Sequence, residues 1–203
     1  RPRQFGTTST PTLHSRIMFE KFKNWLEQVG STDRMPMTFA SRSIRLNHQS
    51  GTISQAKEAD ITAMVHIEEL IYGVAPWNRA AFAADLKKSD RLYLVLKNAN
   101  GDVLGFIGCS FDWNRADAHI TNFGVHPAFQ RQGLGTYLLQ TTRQIALAQA
   151  MRTMSLEVRV SNYQAQRLYR RMGFMDGELK RHYYLDNHED ALDMVAQLEE
   201  VKG

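Results

Sequence analysis

The 203-residue chain predicts an α/β domain built on a mixed sheet, with a helical extension at its N-terminal side. Three observations lead there. Short β-rich runs alternate with segments whose apolar residues recur at helical spacing. Two of the β-rich runs are joined by "NANGD", a strong hairpin signal. The segments also fall in one non-repeating order: strand, two helices, three strands, helix, strand, helix, two strands.

Taken in order, residues 1–17 carry Arg1, Arg3 and Arg16 and no acid, and read as a disordered tail or upstream remnant. From Met18, "MFEKFKNWLEQVG" sets Phe19, Phe22, Trp25, Leu26 and Val29 on one stripe, with Gly30 as a stop. That amphipathic helix is expected to dock on its own domain or on a protein partner rather than on a membrane surface. Residues 31–50 are polar, unpatterned and contain Pro36. The expected organisation is therefore helix and linker over 18–50 and one domain over 51–199.

Within that domain, Ile61, Met64, Val65 and Ile71 mark a helix behind the cap residue Asp60, and Pro76-Trp77-Asn78 introduces a second, "RAAFAADLKK". "RLYLVLK", "VLGFIGCSF" and "AHITNFGV" are three strands. Leu134, Leu138, Ile145 and Ala148 mark a long helix. "TMSLEVRV" alternates Met154, Leu156, Val158 and Val160 with Ser155, Glu157 and Arg159. "NYQAQRLYRRMGF" is a short helix ended by Gly173, and strands around 174–184 and 189–197 close the domain.

Composition narrows the function. A chain with 43% hydrophobic residues can bury a core, and no apolar run approaches the length of a membrane span. Of 25 basic residues three lie in the tail, leaving 22 against 21 acids, a balance that argues against a nucleic-acid-binding surface. The single cysteine, Cys109, excludes an internal disulfide and fits a reducing, cytoplasmic setting. Its place in an apolar strand makes it a packed thiol rather than an acyl-carrying nucleophile. The seven histidines show no metal-ligand spacing, so no metal is expected.

The stretch "HPAFQRQGLGTYLL" carries the chemistry. Glycine costs helix stability, yet Gly133 and Gly135 stand where a helix begins. A helix start presents unpartnered N–H groups and the positive end of the dipole, and Arg131 adds a full charge, so the segment suits a pyrophosphate. It is neither a P-loop nor a G-x-G-x-x-G fingerprint. A tight strand–helix connection with no ligand fits the same residues.

"VHPAFQRQGLGTYLL", "LEVRVSN" and "AQRLYRRMGF" together resemble the GNAT superfamily of acetyl-CoA-dependent N-acetyltransferases, whose acceptor loop reads [QR]-x-x-G-x-[GA]. "APWNRAAF", "SLEVRVSNYQAQRLYRRMGF" and "RHYYLDNHEDALDM" are similar, in order and spacing, to the bacterial ribosomal-protein-alanine N-acetyltransferases. The resemblance spans roughly residues 50–197. It implies a mixed, mostly antiparallel central sheet flanked by helices, acetyl-CoA as co-substrate, and the N-terminal alanine of a small-subunit ribosomal protein as acceptor.

The resemblance also implies site residues. Arg131, Gln132, Gly133, Leu134, Gly135 and Thr136 match the pyrophosphate loop, and Phe123, Gly124 and Val125 the strand edge that holds the pantetheine arm. Asn162 matches a cofactor residue, though it is equally placed to cap the next helix. Glu157 becomes the general base; from pattern alone it pairs with Arg159 on the same strand face. Tyr169 becomes the general acid for the leaving thiolate; from periodicity it is a core tyrosine. Tyr183 and Tyr184 match a pair beside the acceptor groove. His126 reads as a solvated turn residue.

Overall fold

The computed structural model describes residues 36–46 and 49–198. The expected tail over 1–17 and the amphipathic helix over 18–30 lie outside the described residues. Strands β1 (Arg42–Leu46) and β2 (Gln49–Gln55) are followed by helices α1 (Ile61–Tyr72) and α2 (Arg79–Asp85). Next come β3 (Arg91–Asn98), β4 (Val103–Asp112) and β5 (Asp117–Val125), then helix α3 (Leu134–Ala148). Strand β6 (Thr153–Arg159), helix α4 (Tyr163–Arg171) and strands β7 (Met175–Tyr184) and β8 (Glu189–Gln197) complete the order.

The strands form one eight-stranded sheet in the order β1-β2-β3-β4-β5-β6-β8-β7. Every pairing is antiparallel except β5 with β6, which are joined through α3 and therefore parallel. The mixed, mostly antiparallel α/β architecture is the one expected.

Burial follows the sequence pattern. Strands β3 and β4 carry continuous buried runs, residues 92–96 and 104–109, because both their faces are covered. On one face Tyr93, Val95 and Phe106 pack with Ile61, Met64 and Ile67 of α1 and Phe82 of α2. On the other, Leu94, Ile107 and Ile120 pack with Leu134 and Leu138 of α3 and with Tyr169 of α4. Strand β6 alternates instead: Met154, Leu156 and Val158 enter that second core, while Ser155, Glu157 and Arg159 line the opposite face.

Two local expectations need correction. Residues 42–50, read as linker, belong to the sheet as β1 and the start of β2. Arg42, Ser43 and Arg45 are exposed and Ile44 packs on the second core, so this five-residue edge strand shows only the short alternation of Ile44 and Leu46 with polar neighbours. Asp60 does not cap α1. Its carboxylate turns back to accept from the Lys57 N–H at 2.9 Å and pairs with Lys97 at 2.6 Å, closing the short 3₁₀ turn Glu58–Asp60 ahead of the helix. Asn78 does cap α2, accepting from the Ala81 N–H at 2.9 Å.

Candidate active site

The parallel pairing of β5 with β6 runs only from Asp117↔Thr153 to Ile120↔Leu156. Beyond that point β5 continues beside β4 as far as Val125, and β6 continues beside β8 as far as Arg159. The strands part, and one backbone edge of residues 121–125 loses its neighbour. Thr121 is an extra residue against β4, since Gly108 pairs with Asn122 and Cys109 with Ile120. Such a bulge bends its strand at the place where the sheet opens.

The glycine stretch begins at the end of that open edge. The Gln130 side chain donates to the Val125 carbonyl at 3.0 Å and ties the turn closed. His126 acts as a turn cap, its Nδ1 accepting from the Ala128 N–H at 3.2 Å. Gly133 has φ +84°, and a Cβ added to it would meet nothing within 4 Å, so conformation and not space requires glycine there. Gly135 answers differently: a Cβ would sit 3.1 Å from Phe123 Cζ and 3.4 Å from Leu168 Cδ2, so glycine lets α3 close onto β5 and α4. Arg131 is itself left-handed, at φ +62°. Tyr137 is the first residue of α3 to bond back, to the Gly133 carbonyl at 2.9 Å. The N–H groups of Leu134, Gly135 and Thr136 therefore point out of the helix end, beside the exposed Arg131, as a donor set suited to an anion.

Glu157 lies just past the last β5–β6 pair, on the face away from the second core. Its expected partner Arg159 is not the one it takes. Lys180 of β7 pairs with its Oε1 at 2.6 Å, and His119 Nε2 of β5 lies 3.1 Å from its Oε2. The same Lys180 ammonium lies 5.6 Å from the centroid of the Tyr183 ring. Burial alone would raise the pKa of this carboxyl, but hydrogen bonds and charge from His119 and Lys180 outweigh it and hold it at about 2. Arg159 is committed elsewhere, to Asp186 at 2.8 Å and Glu189 at 3.1 Å, with its guanidinium 3.9 Å over the Tyr184 ring. Tyr183 and Tyr184 therefore flank Glu157 and Arg159 respectively, their own rings 5.2 Å apart and nearly perpendicular.

Tyr169 is buried between Phe123 and Phe174, at ring-centroid distances of 6.1 and 5.7 Å. Burial, reinforced by Tyr72 and Tyr184, pushes its pKa above the ordinary phenol value, so it keeps its proton at neutral pH. Asn162 caps α4 through Oδ1, which accepts from the Ala165 N–H at 3.1 Å. Cys109 is buried in β4, and burial raises its thiol pKa, as befits a packed, inert side chain.

Three polar residues beside this opening escape a reading of the sequence. Lys180 and His119 meet Glu157 only through strand register. Glu68 left a signal, since a carboxylate stands on the apolar stripe of Ile61, Met64 and Ile71. It is 4% exposed, accepts from the Trp77 N–H at 3.0 Å, and receives Asn122 Nδ2 of β5 at 3.3 Å. Burial dominates these hydrogen bonds and raises its pKa to about 7.

The parting of β5 and β6 thus has the open start of α3 at its end, Tyr169 against its Phe123, and Glu157 just past its last pair. The sequence profile of the Acetyltransferase (GNAT) family matches residues 61–174, more than half of the chain. The chain belongs to this family and is an N-acetyltransferase. It is 33% identical over 146 residues to the [ribosomal protein bS18]-alanine N-acetyltransferase of Escherichia coli (strain K12), covering 71% of this chain and 95% of that one. An N-alpha-acetyltransferase of Sulfurisphaera tokodaii is 31% identical over 160 residues, covering 72% and 92%. The crystal structure of the ribosomal-protein-S18-alanine N-acetyltransferase from Escherichia coli superposes with a TM-score of 0.66 at 32% identity, covering 74% of this chain and 96% of that one.

Proposed function

We propose that this enzyme is an acetyl-CoA-dependent N-α-acetyltransferase acting on the N-terminal alanine of ribosomal protein bS18. The observation that carries this reading is the similarity to the Escherichia coli enzyme of that name, which runs through nearly all of that protein's length.

Acetyl-CoA supplies the activated acyl group. Its diphosphate rests on the N–H groups of Leu134, Gly135 and Thr136, with Arg131 adding charge and Gln132 and Gly133 shaping the loop. The open edge of Phe123, Gly124 and Val125 receives the pantetheine amides, and Asn162 meets the cofactor through Nδ2. The acceptor lies over Tyr183 and Tyr184 with its amine at Glu157. Glu157 takes the amine proton as nitrogen attacks the thioester carbon, and the Tyr169 hydroxyl protonates the departing sulfur as the C–S bond breaks. An α-amine suits this apparatus: at pH 7 its deprotonation costs roughly 1 kcal/mol, against nearly 5 for lysine.

The test is incubation with acetyl-CoA and hexapeptides that start with alanine and contain an internal lysine, read by tandem mass spectrometry. Acetyl on the α-amine is expected, with kcat lowered about 100-fold by Glu157→Gln. Exclusive lysine labelling, or turnover only with small amines, would overturn the assignment.

A further inference from the structure

A carboxylate held near pH 2 is a weak base for an amine. What stands behind it is a run of hydrogen bonds across the parallel strands. Asp117 accepts from two hydroxyls, Thr153 at 2.6 Å and Ser155 at 2.5 Å. The single Ser155 proton is spent on that carboxylate, so the Ser155 oxygen can only accept in its 2.9 Å contact with His119 Nδ1. Nδ1 therefore carries a proton. Nε2, on the far side of the ring, lies 3.1 Å from Glu157 Oε2, and two acceptors cannot share that distance without a proton between them.

We propose that His119 completes the base: Glu157 and His119 act as one proton-holding pair, with Nε2 the atom that carries the amine's proton away. This rests on Glu157 being the residue that meets the amine. His119 is a positioning residue, since it acts through Glu157 and does not touch the acceptor. Ser155 and Asp117 fix its tautomer so that the basic nitrogen faces Glu157.

The protons balance. Of the three on an ammonium nitrogen, one remains on the amide, one offsets the proton delivered to sulfur, and one has to leave. That last proton passes from nitrogen to Glu157 Oε2, then to His119 Nε2, and from the partly exposed imidazole to water. The charged and titratable groups around the pair are Asp117 on β5, Lys180 and Tyr183 on β7, and Asp193 on β8, which takes the other side of Lys180 at 2.9 Å. When the pair already holds its proton, Glu157 is a carboxylate between the Lys180 ammonium and a protonated His119 ring, and it is a poor acceptor for another proton. Release of the pair's proton switches the base on.

Two measurements test this on the intact chain. Histidine-selective ¹⁵N spectra, with the His119 signal assigned by its absence in His119→Gln, need no acceptor. The neutral ring is expected with hydrogen on Nδ1, and hydrogen on Nε2 overturns the proposal. The second is the kcat–pH profile with whichever amine the enzyme acetylates. His119→Gln is expected to lower kcat about tenfold or more at neutral pH and to remove the acidic limb, with the KM for acetyl-CoA unchanged. Ser155→Ala, which keeps the imidazole but frees its anchor, is expected to displace that limb. Parental profiles in both variants, or a loss by one constant factor at every pH, overturn the proposal. Failure of the ribosomal assignment would show instead as absence of peptide acetylation, leaving the ring tautomer readable.

Discussion

Two carboxylates beside the opening, Glu68 buried and Glu157 partly buried, are held at opposite ends of their titration range. Glu157 stays near 2 because His119 and Lys180 outweigh its burial, whereas Glu68 rises to about 7 because burial outweighs Trp77 and Asn122. The signs for stability are opposite. Glu157, with its pKa depressed, favours the fold above its ordinary range, and that contribution is lost as pH falls toward 2. Glu68, with its pKa raised, favours the fold below its ordinary value of 4.5, and that contribution is lost as pH rises through 7. Urea unfolding at pH 5 and pH 8 should show the parent losing about 2–3 kcal/mol across the interval, and Glu68→Gln, which removes the titration and keeps one of the two accepted hydrogen bonds, should lose far less. An identical loss in the variant would mean that another group titrates there. The roles proposed for Glu157 and Tyr169 come from the resemblance alone. Their partners were not legible at all, because which side chain meets Glu157 depends on the register of β5, β6 and β7, and no local pattern carries that.

The loop between β5 and α3 joins two elements and is built from backbone geometry more than from side chains. The sequence posed its glycines as one question, either ligand approach or tight connection. The structure separates them: Gly133 answers to a left-handed φ and Gly135 to the close approach of Phe123 and Leu168. Gly133→Val forces a β-branched residue into the left-handed region, at a cost of about 1–2 kcal/mol or more, and should shift the N–H groups it precedes. The KM for acetyl-CoA is expected to rise about tenfold with a smaller change in kcat, while Gly133→Asn, which tolerates that φ, stays near the parent. A parental KM in the valine variant would mean that these amides do not hold the cofactor. The other elements were legible where one face is buried and the other wet, as in β6. They were lost where a strand is short and lies at the sheet edge with little apolar content, as in β1, and where a carboxylate placed as a helix cap turned back into the preceding turn, as Asp60 does.

At the scale of the whole molecule, the sheet has two regimes. Helices cover both faces of β3 and β4, whereas on β6, β8 and β7 the face of Glu157, Arg159, Lys180 and Asp193 is laced by ion pairs and meets α1 at Tyr72, whose ring centroid lies 5.8 Å from Arg159. The parting of β5 from β6 lies at the boundary of the two regimes, so one sheet carries both the open edge proposed for acetyl-CoA and the polar floor proposed for the acceptor. The alternation of strands and helices was readable along the chain. The insertion of β8 between β6 and β7 was not, because it depends on a hairpin choosing which of its arms docks on β6. The most direct measurement is a crystal structure of the enzyme with acetyl-CoA. The account predicts the diphosphate on the amides of residues 134–136 and the thioester between β5 and β6, facing Glu157 from the side of Tyr169. A cofactor bound elsewhere, with strands β5 and β6 enclosing nothing, would contradict it.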